Sequence, residues 1–317
     1  MNRDGDTQQK PLALRSDRIV WVAFGTMVLF GGSNALAVRF TSRELPPFWG
    51  ASLRFGVAGL VFWTIVLALR IPLPRGRGLL GAVLYGLFGT GMSFALFYWG
   101  LQYVQAGFAM VILALAPLLT LFLEWVHHLE KLSWRRLAGA LLAVAGILIV
   151  AGGGPGSAVP IAALLALVTG AACSAEGSVV VKLSPPNDPA ATNAVALTTG
   201  ALVLLGLSVI AGEAWVLPVT IGAWLAFSYL IVFGSVVMFY LYLFVLARRT
   251  ASATAYSFLL FPLVTVPLAA LLTGEVITLP FILGGALGLF GVWLGAIAGP
   301  PRVVPSAAAP ATDYVVG

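Results

Sequence analysis

Residues 100–146, GLQYVQAGFAMVILALAPLLTLFLEWVHHLEKLSWRRLAGALLAVAG, lie without a gap on residues 245–291, VLARRTASATAYSFLLFPLVTVPLAALLTGEVITLPFILGGALGLFG. At an offset of 145 residues, Pro117 falls on Pro262, Glu130 on Glu275, Gly139 on Gly284 and Gly146 on Gly291. Nearer the N-terminus, SNALAVRF (33–40) falls on EGSVVVKL (176–183) at an offset of 143, pairing Ser33 with Glu176 and Arg39 with Lys182. Self-similarity at a fixed period marks one structural unit used twice.

Composition says where that unit lives. Of 317 residues 60% are hydrophobic and 9% charged, whereas a soluble domain is roughly a quarter charged. So much apolar sequence belongs in a bilayer. A crossing needs about 20 mostly apolar residues, and ten such stretches are readable: roughly 19–39, 47–69, 79–98, 104–124, 137–152, 160–181, 190–211, 221–246, 252–273 and 280–298. Between them stand breaks rich in Pro, Gly or charge, such as RIPLPRGRG and SPPNDP. A segment surrounded by lipid must satisfy its own backbone, so each is expected to be a helix. The expected fold is an all-α integral membrane protein with five helices in 19–152 and five in 160–298. The flanks, 1–18 and 299–317, are read as disordered cytoplasmic tails.

Five is odd, so the second unit enters the membrane upside down relative to the first. Ten transmembrane helices in two inverted five-helix repeats, meeting at a midplane site, are a recurring transporter architecture. The basic residues orient it. With the N-terminus inside, 14 Lys and Arg fall on cytoplasmic segments and only Arg39 and Arg43 on outer loops, a positive-inside bias. Trp49, Trp99 and Trp215 then mark outer ends; Trp21, Trp125 and Trp134 mark inner ones. Both termini are expected in the cytoplasm, in a multi-pass plasma-membrane protein.

The ordered set of residues supports a family resemblance. Gly32-Ser33-Asn34 stands in the first helix and Leu53-Arg54-Phe55 in the second. Pro117, Glu130 and Gly139 follow, answered by Pro262, Gly274-Glu275 and Gly284. Over residues 19–298 the chain resembles an EamA-domain member of the drug/metabolite transporter superfamily. The resemblance implies ten helices and efflux of amino acids, related metabolites or drugs. Where that family often has a tryptophan before the first-helix glycine, this chain has Gly31, which predicts a different pocket.

Polar residues inside spans are the site candidates, because an ionisable group at mid-helix costs about 2.5 kcal/mol or more and belongs on a cavity. Glu176 and Arg54 lead: a carboxylate for a substrate amino group or a proton, and a guanidinium for a substrate carboxylate. At about 1.5 Å per residue they lie roughly 14 Å apart along the membrane normal, too far for an ion pair. Asn34 and Ser33 belong to the first-helix motif, and Asn34 shares the depth of Arg54. Tyr240, Tyr256 and Ser257 share that of Glu176. Pro117 and Pro262, each removing a backbone hydrogen bond, are hinge candidates. Glu130 and Glu275 precede helices and are read as caps.

Several functions are excluded by the same reading. The excess of 17 basic over 11 acidic residues sits in short loops and forms no nucleic-acid face. Cys173, the single cysteine, makes no intrachain disulfide. Glu124 and His127 have a Glu-x-x-His spacing, but di-metal sites need several such helices, so no metal is expected. AGGGPG (151–156) lacks the Lys-Ser/Thr of a phosphate loop, and no cofactor is implied. The expected partners are a small-molecule substrate, protons and the lipid bilayer, with the chain a monomer or homodimer. The expected activity is secondary export by alternating access, not enzymatic chemistry. An uncoupled channel-like facilitator stays open as an alternative, with an intramembrane lipid-handling enzyme behind it.

Overall fold

The computed structural model describes residues 10–128, 134–152, 159–274 and 276–297, and among them every regular element is helical. The rods are α1 (Lys10–Thr41), α2 (Pro47–Ala68), α3 (Arg77–Gly100), α4 (Ala106–Val126), α5 (Trp134–Gly152), α6 (Ile161–Leu183), α7 (Pro189–Ile210), α8 (Ile221–Arg248), α9 (Ala251–Thr273) and α10 (Leu279–Ile297). Eight of these, all but α5 and α10, are long and apolar enough to cross a membrane. The protein is therefore a multi-pass membrane protein. Its outer surface is correspondingly oily: Leu67, Ile210 and Leu271 are among many large apolar side chains left exposed.

Helix α1 starts at Lys10, inside the stretch read as a polar tail. Pro11, in the first turn, has no amide to lose there, so it does not block the helix. Glu130 and Glu275 lie outside the described residues.

Small residues let the rods approach. A Cβ on Gly146 of α5 would run into the backbone of Gly284 and Gly288 on α10, and one on Gly291 into that of Gly139 and Ala143. A Cβ on Gly177 of α6 would come within 2.8 Å of the Gly89 backbone on α3. Without a hydrophobic drive inside lipid, such close backbone packing is what holds helices together. Polar stitches join α2 to α7: Ser52 Oγ donates to Ala201 O at 2.9 Å, and Trp63 Nε1 to Thr198 Oγ1 at 3.0 Å.

Two rods contain a π-helical stretch, Gly86–Met92 in α3 and Val232–Val237 in α8. The two proline helices behave differently. α4 breaks at Ala114-Leu115, just before Pro117, into Ala106–Leu113 and Ala116–Val126. α9 runs unbroken through Pro262 and Pro267.

Candidate functional site

A cavity of about 60 Å³ lies in the middle of the bundle, walled by α1, α3, α4, α6, α8 and α9. Aromatic rings dominate it: Phe94 and Phe97 of α3, Phe239 of α8, Phe258 and Phe261 of α9. Phe94 and Phe239 meet with ring centroids 5.8 Å apart. The polar lining is sparse, with Asn34, Ser93, Ser174, Ser178, Tyr85 and Tyr242. Ser178 Oγ and Tyr242 OH share a 2.7 Å hydrogen bond. About 10–15 Å³ of such cavity space holds a water molecule, so the chamber has room for a few.

Beside the chamber sits Arg54, fully buried at 0% exposure. Its Nε donates to Ser235 Oγ at 2.7 Å, Nη1 to Tyr98 OH at 3.0 Å and Nη2 to Gly234 O at 2.7 Å. The rings of Phe55 and Phe94 lie 4.9 and 5.6 Å from its guanidinium carbon. All three hydrogen-bonding partners are uncharged. Two of them come from the π-helical turn of α8, where a side chain would be crowded: a Cβ on Gly234 would stand 3.0 Å from Asn34 Oδ1 and 3.1 Å from Arg54 Nη2. Asn34 Oδ1 is itself buried with no hydrogen-bond partner. Among the described residues, a cation with only uncharged partners and an unsatisfied amide oxygen therefore stand together at the edge of the chamber. Such a pair is expensive in a low-dielectric interior.

The structure places Glu176 away from the cavity lining. Ser174 and Ser178 are four residues apart and line the cavity together. Glu176, two residues from each, falls on the other side of the helix. Its carboxylate lies 3.0 and 3.2 Å from His127 Nε2, with both side chains partly exposed. No group of metal-binding side chains forms among the described residues.

The other candidates scatter. Ser33 Oγ donates to the Leu29 carbonyl and bonds Tyr229 OH, outside the cavity lining. Tyr240 is 40% exposed and stacks on Phe244, so α8 offers the chamber Tyr242 instead. Ser257 is buried but spends its hydroxyl on Thr254 O, and Tyr256 does not reach the lining. Sequence reasoning missed Tyr242, Ser174 and Ser178. Ser174 and Ser178 carry a signal in hindsight, an i, i+4 hydroxyl pair flanking the acid that drew attention. The unusual Gly31 has an explanation too: the Phe261 ring occupies the space its side chain would fill.

Residues 18–152 and again 161–296 match the EamA-like transporter family. The chain belongs to that family. Family membership makes it a membrane transporter, as the names of its relatives agree. It is 31% identical over 264 residues to the "Uncharacterized inner membrane transporter YedA" of Escherichia coli (strain K12), covering 81% of this chain and 83% of that one. An "Uncharacterized transporter" of Archaeoglobus fulgidus is 26% identical over 284 residues, 86% of this chain and 97% of the relative. A "Probable terminal-alkyne amino-acid exporter" of Streptantibioticus cattleyicolor is 27% identical over 252 residues, 76% and 84% of the two chains. A solved structure titled "Crystal structure of protein" shares the fold with a TM-score of 0.66 at 22% identity, over 89% of this chain and 97% of that one.

Proposed function

We propose that this protein exports small organic solutes bearing a carboxylate, amino acids or close relatives, by alternating access around the aromatic chamber. The observation that carries the reading is the Arg54–Asn34 corner, a buried guanidinium with no carboxylate partner among the described residues, beside an unsatisfied amide oxygen. A substrate carboxylate would accept from the remaining Arg54 N–H groups, which form a planar fork suited to two parallel bonds. Phe94, Phe239 and Tyr85 would receive the apolar or ammonium part of the solute, the latter through the faces of the rings. The relative named as an amino-acid exporter supports the same class.

In this reading all ten rods cross the bilayer, the two halves are inverted copies and both termini are cytoplasmic. Three contacts support a pseudo-twofold relation between the halves, which an odd number of crossings per half would make an inversion. Gly146 packs against Gly284 and Gly291 against Gly139, a reciprocal pair under the 145-residue offset. Phe94 and Phe239, also 145 apart, touch each other, as residues on a pseudo-twofold axis must. The π-helical stretches of α3 and α8 fall at the same offset. The face carrying Trp49 and Trp215 is then external, and the one carrying Lys182, Arg77 and Arg248 cytoplasmic.

The test is export from cells, or uptake into inside-out vesicles, of a labelled amino-acid panel. Saturable movement of carboxylate-bearing solutes that depends on Arg54 supports the proposal; carriage indifferent to the carboxylate refutes it. Proton coupling rather than facilitated diffusion is read from a flux ratio that changes with the pH gradient.

A further inference from the structure

The two faces of the bundle treat the same helix starts in different ways. On the Trp49 face, Pro46 precedes α2 and has no capping side chain. The missing acceptor comes from the other half: Glu213 takes Phe48 N at 3.1 Å and Trp49 N at 2.7 Å. Gly212 delivers that carboxylate. Its φ of +65° turns the chain at the end of α7, and Glu213 N closes the turn on Ser208 O at 3.0 Å. The exchange is mutual. Glu44, in the α1–α2 loop, accepts from Val219 N at 2.6 Å and Thr220 N at 3.1 Å, and from the Thr220 hydroxyl at the start of α8. Trp49 adds a stack on Trp215 at 5.3 Å and a 2.6 Å bond from Nε1 to Val216 O.

On the opposite face, among the described residues, the equivalent side chains make their hydrogen bonds within their own half. The offset of 143 places Asn187 where Glu44 stands and Asp188 beside it. Asp188 caps its own helix, α7, accepting from Ala190 N at 2.8 Å, and Asn187 donates to Pro185 O of its own loop. Gly76, before α3, has no side-chain cap. Between these elements and the end of α8 lies a cavity of about 210 Å³, lined by Lys182, Asn187 and Thr192 among others. His127–Glu176 also joins the halves at this end, but on the seam between α4 and α6, away from that cavity.

We infer that Glu44 and Glu213 are the latches of the gate on the Trp49 face, and that this conformation has that gate shut. The inference rests on the alternating-access reading above. Each carboxylate caps a helix of the other half, so parting the halves on this face uncovers two helix N-termini at once. Charge-assisted hydrogen bonds to such termini are among the stronger ones available at a surface. Among the described residues the neutral Asn187 on the other face makes no comparable hydrogen bond to the other half, which biases the resting protein toward the conformation seen.

The experiment uses the full chain with Cys173→Ser, a Ser93→Cys reporter in the chamber and a membrane-impermeant thiol reagent. A separate Leu217→Cys control in the α7–α8 loop identifies which side the Trp49 face addresses. Glu44→Ala with Glu213→Ala is expected to speed labelling of the reporter from that side by roughly tenfold or more, the factor implied by losing even one charged hydrogen bond from the closed state. Labelling from the Lys182 side should fall. Asp188→Ala, which removes a cap within one half, should leave the Trp49-side rate unchanged, and an equal rise there would mean general loosening and overturn the assignment. Glu44→Gln with Glu213→Gln serves if the alanine pair does not fold. An unchanged reporter rate with export intact sinks the latches alone. A reporter that labels from neither side in any variant sinks them together with the alternating-access reading.

Discussion

Replacing Arg54 by Met is the most informative single change. Arg54 makes three hydrogen bonds, all to uncharged partners, from a fully buried position. Two effects oppose each other in the folded protein. Removing a charge from mid-membrane relieves about 2.5–3.5 kcal/mol on insertion scales. Against that, the Gly234 carbonyl and the Ser235 and Tyr98 hydroxyls lose a donor, each worth about 1–3 kcal/mol if left bare. The two hydroxyls can rotate toward other acceptors, so the sums nearly cancel and the thermal midpoint is expected to shift little. Binding has no such compensation. A hydrogen bond to a charged group is worth about 1.5–3 kcal/mol, so affinity for a carboxylate solute should fall about 10- to 150-fold. The assay compares uptake of an amino acid and of its decarboxylated amine into inside-out vesicles. Arg54→Met should raise KM for the first and leave the second almost untouched. Equal losses for both, or none for either, would refute the assignment of Arg54 to the substrate carboxylate.

Other outcomes follow from the same contacts. Gly146→Ala gains about 1 kcal/mol of helix propensity but drives a methyl into the backbone of Gly284 and Gly288; overpacking of about 1–3 kcal/mol wins, and the thermal midpoint in detergent should drop. Gly31→Trp should abolish transport because the Phe261 ring holds that space, and Phe261→Ala in the same chain should restore part of it; no rescue would mean the two do not compete. His127→Ala and Glu176→Gln should be non-additive by only about 0.2–1 kcal/mol, since both side chains are partly exposed, and neither should change the solute preference measured by export. The Thr220 hydroxyl, then the Val219 N–H, holds the Glu44 carboxyl below its ordinary 4.5. A depressed value stabilises the fold above 4.5 and stops doing so as pH falls through the lower folded value. The difference in thermal midpoint between the native chain and Glu44→Gln should therefore be constant at neutral pH and shrink in acid.

The sequence by itself settled the class of molecule, because hydropathy and helix length are local properties. It also supplied the repeat and the family, since Pro117, Gly139 and Gly146 recur at one spacing whatever they touch. It singled out Arg54 and Asn34 as candidates of similar depth, because rise per residue is fixed. Rotation about a helix axis is not fixed by depth, and Glu176 shows it: two residues along α6 separate a wall of the chamber from its far side. Likewise Tyr240 and Tyr242 are equally aromatic and equally deep, and only packing against α9 and α6 decides which one faces inward. The helix starts on the Trp49 face were invisible for another reason. Glu44 and Glu213 act on backbone amides more than 160 residues away, and a backbone amide leaves no mark in a sequence.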